Sequence, residues 1–355
     1  MRLGASPNQF LVVRKGGPYG STLRRDRSAS SPFGDLRDGR GGRPVVCERI
    51  ANDPWRLLEV VSAAGETAEV VIEATYGWYW AVDLLRDAGF SVHLAHPSGN
   101  DWGNRRVKND ERDARDLADL LRLGRLAEAW IAPPAVREAR ELVRFRARLV
   151  QLRSGLKAQV HAVMAKEGVL PGTSDMFGPK GQALLDAMEL ADAYGVRVES
   201  LRDLIEVYDR EVEMLERRIH ELLRHDRGYQ AIQALDGVGR TIAAIFVTEI
   251  GDITRFGTPQ ALCSWAGLTP RHRESDTKVV RGKITKQGSK LVRWAALEAI
   301  VRYHGGPPLR DGFHRIAERR GTNKARIATA RRLMTLVYYG LRDGEIRCLQ
   351  QRAVA

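Results

Sequence analysis

The sequence predicts an α/β region followed by a mainly helical one. Three observations carry that expectation. A β-branched run, an amphipathic helix and a second apolar run succeed one another within residues 68–97. Two long charged stretches beyond residue 135 keep a helical apolar period, with no strand pattern between them. Residues 1–44 lack either pattern. A chain of 355 residues, 43% hydrophobic, has room for two or three domains with real cores.

Residues 1–44 are rich in Gly, Arg, Ser and Pro, and their one apolar run is Phe10-Leu11-Val12-Val13. By composition the segment is irregular. Helical spacing after an Asp-Pro start marks 51–64 as a helix. AEVVIEAT (68–75) reads as a buried strand, YWAVDLLRDAG (79–89) as a helix closed by Gly89, and FSVHLAHP (90–97) as a second strand. Strand, helix and strand at this spacing form a βαβ unit with a parallel pair. A helix over 110–124 follows. Residues 135–167 and 195–225 are long helices. In the second, Leu201, Leu204, Ile205, Tyr208, Val212, Leu215, Ile219 and Leu222 share a stripe, as in an antiparallel coiled-coil hairpin or in plain helix packing. From Tyr229 the chain reads as a glycine turn between helices (235–251), a basic loop, a helix over 287–304 and an Arg-rich helix over 320–345.

The formal net charge is +13, which points to a polyanionic partner, first of all nucleic acid. No run approaches the roughly 18 apolar residues of a membrane helix. Cys47, Cys263 and Cys348 are far apart and show no metal-ligand spacing, which fits a reducing cytosol.

Within KNDERDARDLADLL (108–121), Ala114, Leu117, Ala118 and Leu121 form the apolar stripe. Asp116 and Asp119 fall on the solvent side. Asp110 and Asp113 lie at the helix start on the flank of the stripe, where capping alone is one explanation. A third acid, Glu73, closes the first strand of the parallel pair, at the edge where open α/β sheets place their ligands. Three converging carboxylates repel one another unless a cation lies between them. Mg²⁺ or Mn²⁺ is the natural guest, and a site of this kind serves phosphodiester chemistry.

A second candidate region is 267–294, which holds Arg271, Arg273, Lys278, Arg281, Lys283, Lys286, Lys290 and Arg293 and few acids. Such a density of cations suits phosphate contacts. LDGVGR (235–240) is either a helix-hairpin-helix turn, with Gly237 and Gly239 letting backbone N–H groups approach a phosphate, or a plain turn between helices. Ser275 lies among the cations and by spacing alone is a polar loop residue.

Three patterns therefore stand in order: VIEATYGWYW, KNDERDARDLADLLRLG, and DGVGRTIAAIFVTEIGDITRF followed by AGLTPRHRESDTKVVRGKITKQGSKLVRW. Together they resemble the DEDD-type insertion-sequence transposases, the "one-ten" group, from about Val45 to about Gly340. The resemblance implies a RuvC-like (RNase H-like) domain over 45–130, a helical coiled-coil region over 131–228, a C-terminal transposase domain over 229–345 and a tail over 346–355. It implies that Glu73, Asp110 and Asp113 are catalytic metal ligands. It makes Ser275, seven positions before Gly282, the nucleophile on DNA, although Asp276 stands where the family has Gly. A structured guide RNA is implied beside DNA, as is a homodimer or homotetramer acting at paired DNA ends in the bacterial cytoplasm, on the nucleoid.

The family's first Asp has no counterpart, since Gly20-Ser21-Thr22-Leu23 holds its place. Tyr19–Leu23 can be encoded so that a slip of two nucleotides reads Arg-Ile-Asp-Val, the missing motif, with the frame regained before Pro44. A chain altered in this way lacks one metal ligand and a central strand. Two rival readings follow: a RuvC-type nuclease using metal alone, and a nucleic-acid-binding remnant without catalysis.

Overall fold

In the computed structural model of the chain, the residues described are 10–14, 50, 52–97, 99, 110–169, 175–275, 278–304 and 309–350. The chain divides into two compact units, residues 1–131 and 132–355. The proposed frame slip falls outside the described residues. Among them no helix is long and apolar enough to cross a membrane.

The first unit is a three-stranded sheet with helices on both faces. Its order is β1 (Phe10–Arg14), β2 (Ala68–Glu73), β3 (Ser91–Ala95). β2 and β3 are parallel and run in register from Glu69↔Ser91 to Glu73↔Ala95, as the βαβ spacing predicts. Between them runs α2 (Tyr79–Asp87). Before β2 comes α1 (Pro54–Ala63), started by Pro54 and capped by Asp53, whose Oδ1 accepts from the Arg56 N–H at 2.8 Å. Leu57 and Val61 of α1 and Ala81, Val82 and Leu85 of α2 meet Val70, Ile72, Val92 and Leu94 in one core. On the other sheet face Val71 and Ala95 are covered by Ala114, Leu117, Ala118 and Leu121 of α3 (Asp110–Arg122). The alternation along β2 is the period of two of a strand buried on both sides.

Two expectations need correction here. Phe10–Arg14 is not irregular: it pairs antiparallel with β2, Phe10 opposite Ile72 and Arg14 opposite Ala68. A short apolar run suffices when a strand edge is open to it. On α3, Asp119 faces solvent and pairs with Arg122 at 3.1 Å, but Asp116 is half-buried rather than on the wet side.

The second unit is mainly helical. α4 (Pro134–Lys166) and α6 (Asp192–Leu223) are its longest helices. Arg146 pairs with Glu216 and Arg153 with Asp209, so the partner number falls as the α4 number rises and the two helices run antiparallel. The seam on α6 is Val198, Leu201, Ile205, Tyr208, Val212, Leu215 and Ile219, spaced three and four apart. Leu204 and Leu222, expected on that stripe, are instead 44% and 53% exposed. At one end of the pair, α5 (Pro179–Asp186) closes a small core around Val160, Val163, Met164 and Leu185. At the other, Val143, Leu149, Val212 and Leu215 enter the main core.

That core surrounds α8 (Arg240–Ile250), which is apolar nearly all round and correspondingly buried. α7 (Arg227–Ile232), α9 (Pro259–Trp265), α10 (Lys290–Val301) and α12 (Thr322–Asp343) contribute the rest. The Arg-rich helix expected over 320–345 is α12, and α11 (Leu309–Arg320), which was not expected, precedes it and ends at Gly321, whose φ of +86° turns the chain into α12.

The turn between α7 and α8 explains one of its two glycines. Gly237 has φ +79°, and a Cβ there would collide with the Ala299 carbonyl of α10. Gly239, the N-cap of α8, has open space around its missing Cβ. Gly237→Ala is expected to lower unfolding free energy by on the order of 3 kcal/mol, and Gly239→Ala by less than about 1 kcal/mol. Urea unfolding checks this, and equal losses contradict the packing role of Gly237.

Candidate active site and nucleic-acid interface

Glu73 is the last residue of β2, and its side chain is exposed. Its parity follows from its neighbours. Val70 and Ile72 enter the core with α1 and α2, whereas Val71 lies under α3. Glu73 therefore shares the face of Val71, the face that α3 covers. Asp110 is the first residue of α3 and Asp113 lies one turn in, four before Leu117 of the stripe. Asp113 is half-buried. The Asp110 side chain lies outside the described residues. Among the described residues no three His, Cys, Asp or Glu side chains stand together as a metal-binding group. Glu73 and Asp113 offer oxygen donors only, which suits a hard divalent cation.

A neighbouring contact was not expected from sequence. His93, in register with Val71, meets Glu128 at 3.1 Å through Nδ1. Beside it the Ala129 N–H donates to the Leu94 carbonyl at 2.7 Å and the His96 N–H to the Ala127 carbonyl at 2.8 Å. These bonds close the outer edge of β3. The alternation of His93 with Val92 and Leu94 is the signal that marks it as a side chain of the α3 face.

In the second unit, the segment expected as a basic loop is an antiparallel hairpin of β4 (Pro270–Ser275) and β5 (Lys278–Ile284). Ser275 ends β4, its backbone opposite Lys278. Its side chain, like those of Arg273, Lys278 and Arg281, lies outside the described residues. Arg271, Lys283, Lys286 and Lys290 are exposed. Gly282 lies beside Arg271, where a Cβ would make ordinary contact at 3.6 Å.

Arg293 departs from the phosphate-facing set in which sequence placed it. It is 9% exposed. Its Nη1 donates to the carbonyls of Ala266 at 3.0 Å, Gly288 at 3.2 Å and Gln287. One guanidinium thus joins the chain just before β4 to the chain just after β5. Burial lowers its pKa from the usual arginine value. The foot of the hairpin is further closed by Lys286 N–H to the Gly267 carbonyl at 3.1 Å and Thr285 N–H to the Thr269 carbonyl at 2.9 Å.

Two other arginines turn inward on α8. Arg144 Nε meets Glu249 Oε1 at 2.6 Å and its Nη2 meets Oε2 at 3.1 Å, which balances a carboxylate only 3% exposed. Arg140 donates to the carbonyls of Thr248 at 2.7 Å and Glu249 at 2.8 Å, satisfying the end of α8. Beside them is a cleft of about 400 Å³ lined by Arg140, Arg144, Glu249, Trp265, Ser289, Lys290 and Leu291.

Arg293→Met is expected to destabilise the chain by about 2–4 kcal/mol, because it leaves three carbonyls without their donor. The salt dependence of nucleic-acid binding should not change. A fall of about one in the log–log salt slope is the result a phosphate-contacting arginine gives, and it would contradict the clamp.

Residues 40–167 match the family model of the DEDD transposases of the IS110 type, described as a transposase. Residues 229–314 match that of the transposase IS116/IS110/IS902 family. The chain is 30% identical over 258 residues to a protein named as a transposase, y4qE, of Sinorhizobium fredii, an alignment covering 71% of this chain and 63% of that one. It is 26% identical to a protein of Pseudomonas aeruginosa named as a family 20 transposase, over 63% of this chain and 68% of that one. It is 24% identical to the transposase for insertion sequence element IS1111A of Coxiella burnetii, over 79% of each. The chain thus spans about two thirds of the length of the first two. Two separate stretches, 40–167 and 229–314, carry the marks of one group, and the chain belongs to the IS110/IS116 family of DEDD transposases.

Proposed function

We propose that the chain is a transposase, or recombinase, of a bacterial insertion element that cuts and rejoins DNA. The observation that carries this is Glu73, a carboxylate where a strand buried on both faces emerges from the sheet, on the face that α3 covers. In a family member of this charge, that edge is suited to phosphodiester chemistry.

In this reading residues 45–130 form a RuvC-like domain, 131–228 a coiled-coil spacer and 229–345 the transposase domain. The three-and-four spacing of the α6 seam supports the spacer. Glu73, Asp110 and Asp113 would hold Mg²⁺ or Mn²⁺, which when bound would neutralise charge on the phosphate. The Ser275 Oγ attacks phosphorus. The Oγ–P bond forms as the P–O bond to the departing strand breaks, and the serine proton ends on the departing hydroxyl. Attack by another strand's hydroxyl reverses the step and joins DNA, with no net oxidation and no water consumed. Arg271, Arg273, Lys278, Arg281, Lys283, Lys286 and Lys290 contact phosphates of DNA or of a structured guide RNA. Gly239 leaves the start of α8 open to a further phosphate. Two or four copies act together at paired ends in the bacterial cytoplasm, on the nucleoid.

A second reading is favoured by one specific observation. The strand beside β2 is Phe10–Arg14, antiparallel and without a carboxylate. A chain lacking the family's first acid would bind nucleic acid without cutting it.

Ser275→Ala is expected to reduce strand joining at least ~1000-fold while nucleic-acid binding is kept. Glu73→Gln is expected to remove the response to Mg²⁺. A joining assay on donor and target DNA decides both. Normal joining by Ser275→Ala refutes the nucleophile, and an unchanged Mg²⁺ response in Glu73→Gln refutes the metal site. Binding without joining by the natural chain selects the second reading.

A further inference from the structure

Tyr76 stands three residues beyond Glu73, in the turn between β2 and α2, and its side chain is 98% exposed. Trp55, in the first turn of α1, is 80% exposed, and Tyr79, the first residue of α2, is 41% exposed. Among the large apolar side chains described, Tyr76 and Trp55 are the two most exposed. The turn that presents Tyr76 is ordered by hydrogen bonds. Thr75 N–H donates to the Glu73 carbonyl at 2.7 Å, Ala74 N–H to the Ala95 carbonyl at 3.0 Å, and Gly77 takes φ +79°.

Topology places these rings at one edge of the sheet. α2 follows β2 directly, so its first turn lies at the carboxyl end of the strand. α1 enters β2 through the turn at 64–67 and packs Leu57 and Val61 against Val70 and Ile72. It therefore runs back along β2, and its first turn returns to that same edge.

The surroundings narrow the partner. Asn52, Asp53, Glu73 and Thr75 are exposed beside the rings, so no continuous apolar patch invites a protein surface. A phosphate at the rings themselves would meet the carboxylate of Asp53. The face of a nucleobase is flat, polarisable and uncharged, and aromatic rings hold it without regard to sequence.

We propose that Tyr76, with Tyr79 and Trp55 beside it, is a stacking platform for unpaired DNA bases at the edge that carries Glu73. The inference rests on the reading of that edge as the place where DNA is cut. A base that leaves its own stack near the cut regains a stacking partner on the protein, which holds the opened strand in place.

The test is binding of the full chain to a DNA bubble, and to the matched duplex, with 2-aminopurine at successive unpaired positions. Tyr76→Ala is expected to weaken bubble binding about 10-fold to 100-fold, to leave duplex binding within about twofold, and to remove the quenching of one 2-aminopurine. Tyr76→Phe should keep all three wild-type properties, because the ring and not the hydroxyl stacks. Trp55→Ala should weaken bubble binding in the same sense. Bubble binding unaffected by Tyr76→Ala overturns the proposal, as does equal loss on bubble and duplex, or a change confined to self-association. If Tyr76→Ala has no effect on bubble binding while the natural chain still joins DNA, the platform alone falls. If the natural chain binds neither DNA, the functional reading falls and the platform with it.

Discussion

The first unit depends on the burial of one strand from both sides. Val70 and Ile72 of β2 are covered by α1 and α2, and Val71 by α3. A charge inside such a strand would lose its water and gain no partner. Of the two acids of β2, Glu69 is half-buried near its start, and Glu73 stands exposed where the strand emerges. The same burial fixes α3, because its stripe from Ala114 to Leu121 has Val71 and Ala95 as its seat. The position of Asp113, one turn before Leu117, follows from that seat. The carboxylate edge is thus a consequence of how the sheet is closed.

The second unit handles charge differently. Its central helix, α8, carries the nearly inaccessible Glu249, which is tolerable because Arg144 meets both oxygens. Arg140 and Arg293 likewise turn their guanidinium groups onto main-chain carbonyls. The net charge of +13 is therefore not a count of phosphate contacts. Some of the arginines that make the chain basic are structural, and the cations set towards solvent, such as Lys283, Lys286 and Lys290, are those that a polyanion can meet. Burial and the nearby Arg140 lower the Arg255 pKa to about 10, so even this crowded guanidinium keeps its charge at neutral pH.

Much of this was legible in residue order. Periodicity alone placed β2, α2, β3, α3 and both long helices to within a few residues, because each has an apolar face whose period is unmistakable. β1 was not legible, since five residues in a Gly- and Arg-rich stretch become a strand only by pairing with β2. The β4–β5 hairpin was read as a loop because its cations hide the alternation of a strand. Leu204 and Leu222 were misplaced because spacing does not reveal how wide the covered stripe is: Leu204 flanks the seam, and beyond Ile219 it is Leu223 rather than Leu222 that is buried. Arg293 could not be told from its neighbours, since type and spacing do not reveal which guanidinium turns inward. Of the candidate residues, the end of a strand was legible for Glu73 and the first turns of a helix for Asp113, and both lie there. The aromatic cluster after Glu73 was visible as letters, but its exposure was not.

The central claim is that a serine of the β4–β5 hairpin becomes joined to DNA in a metal-dependent reaction. The most direct measurement is to trap the chain on a nicked DNA substrate whose departing strand diffuses away, in Mg²⁺, and to map any protein–DNA adduct by mass spectrometry. The account predicts a phosphodiester on Ser275 that forms in Mg²⁺ and not in a chelator. An adduct on another residue, or cleaved DNA with no adduct at all, would contradict it.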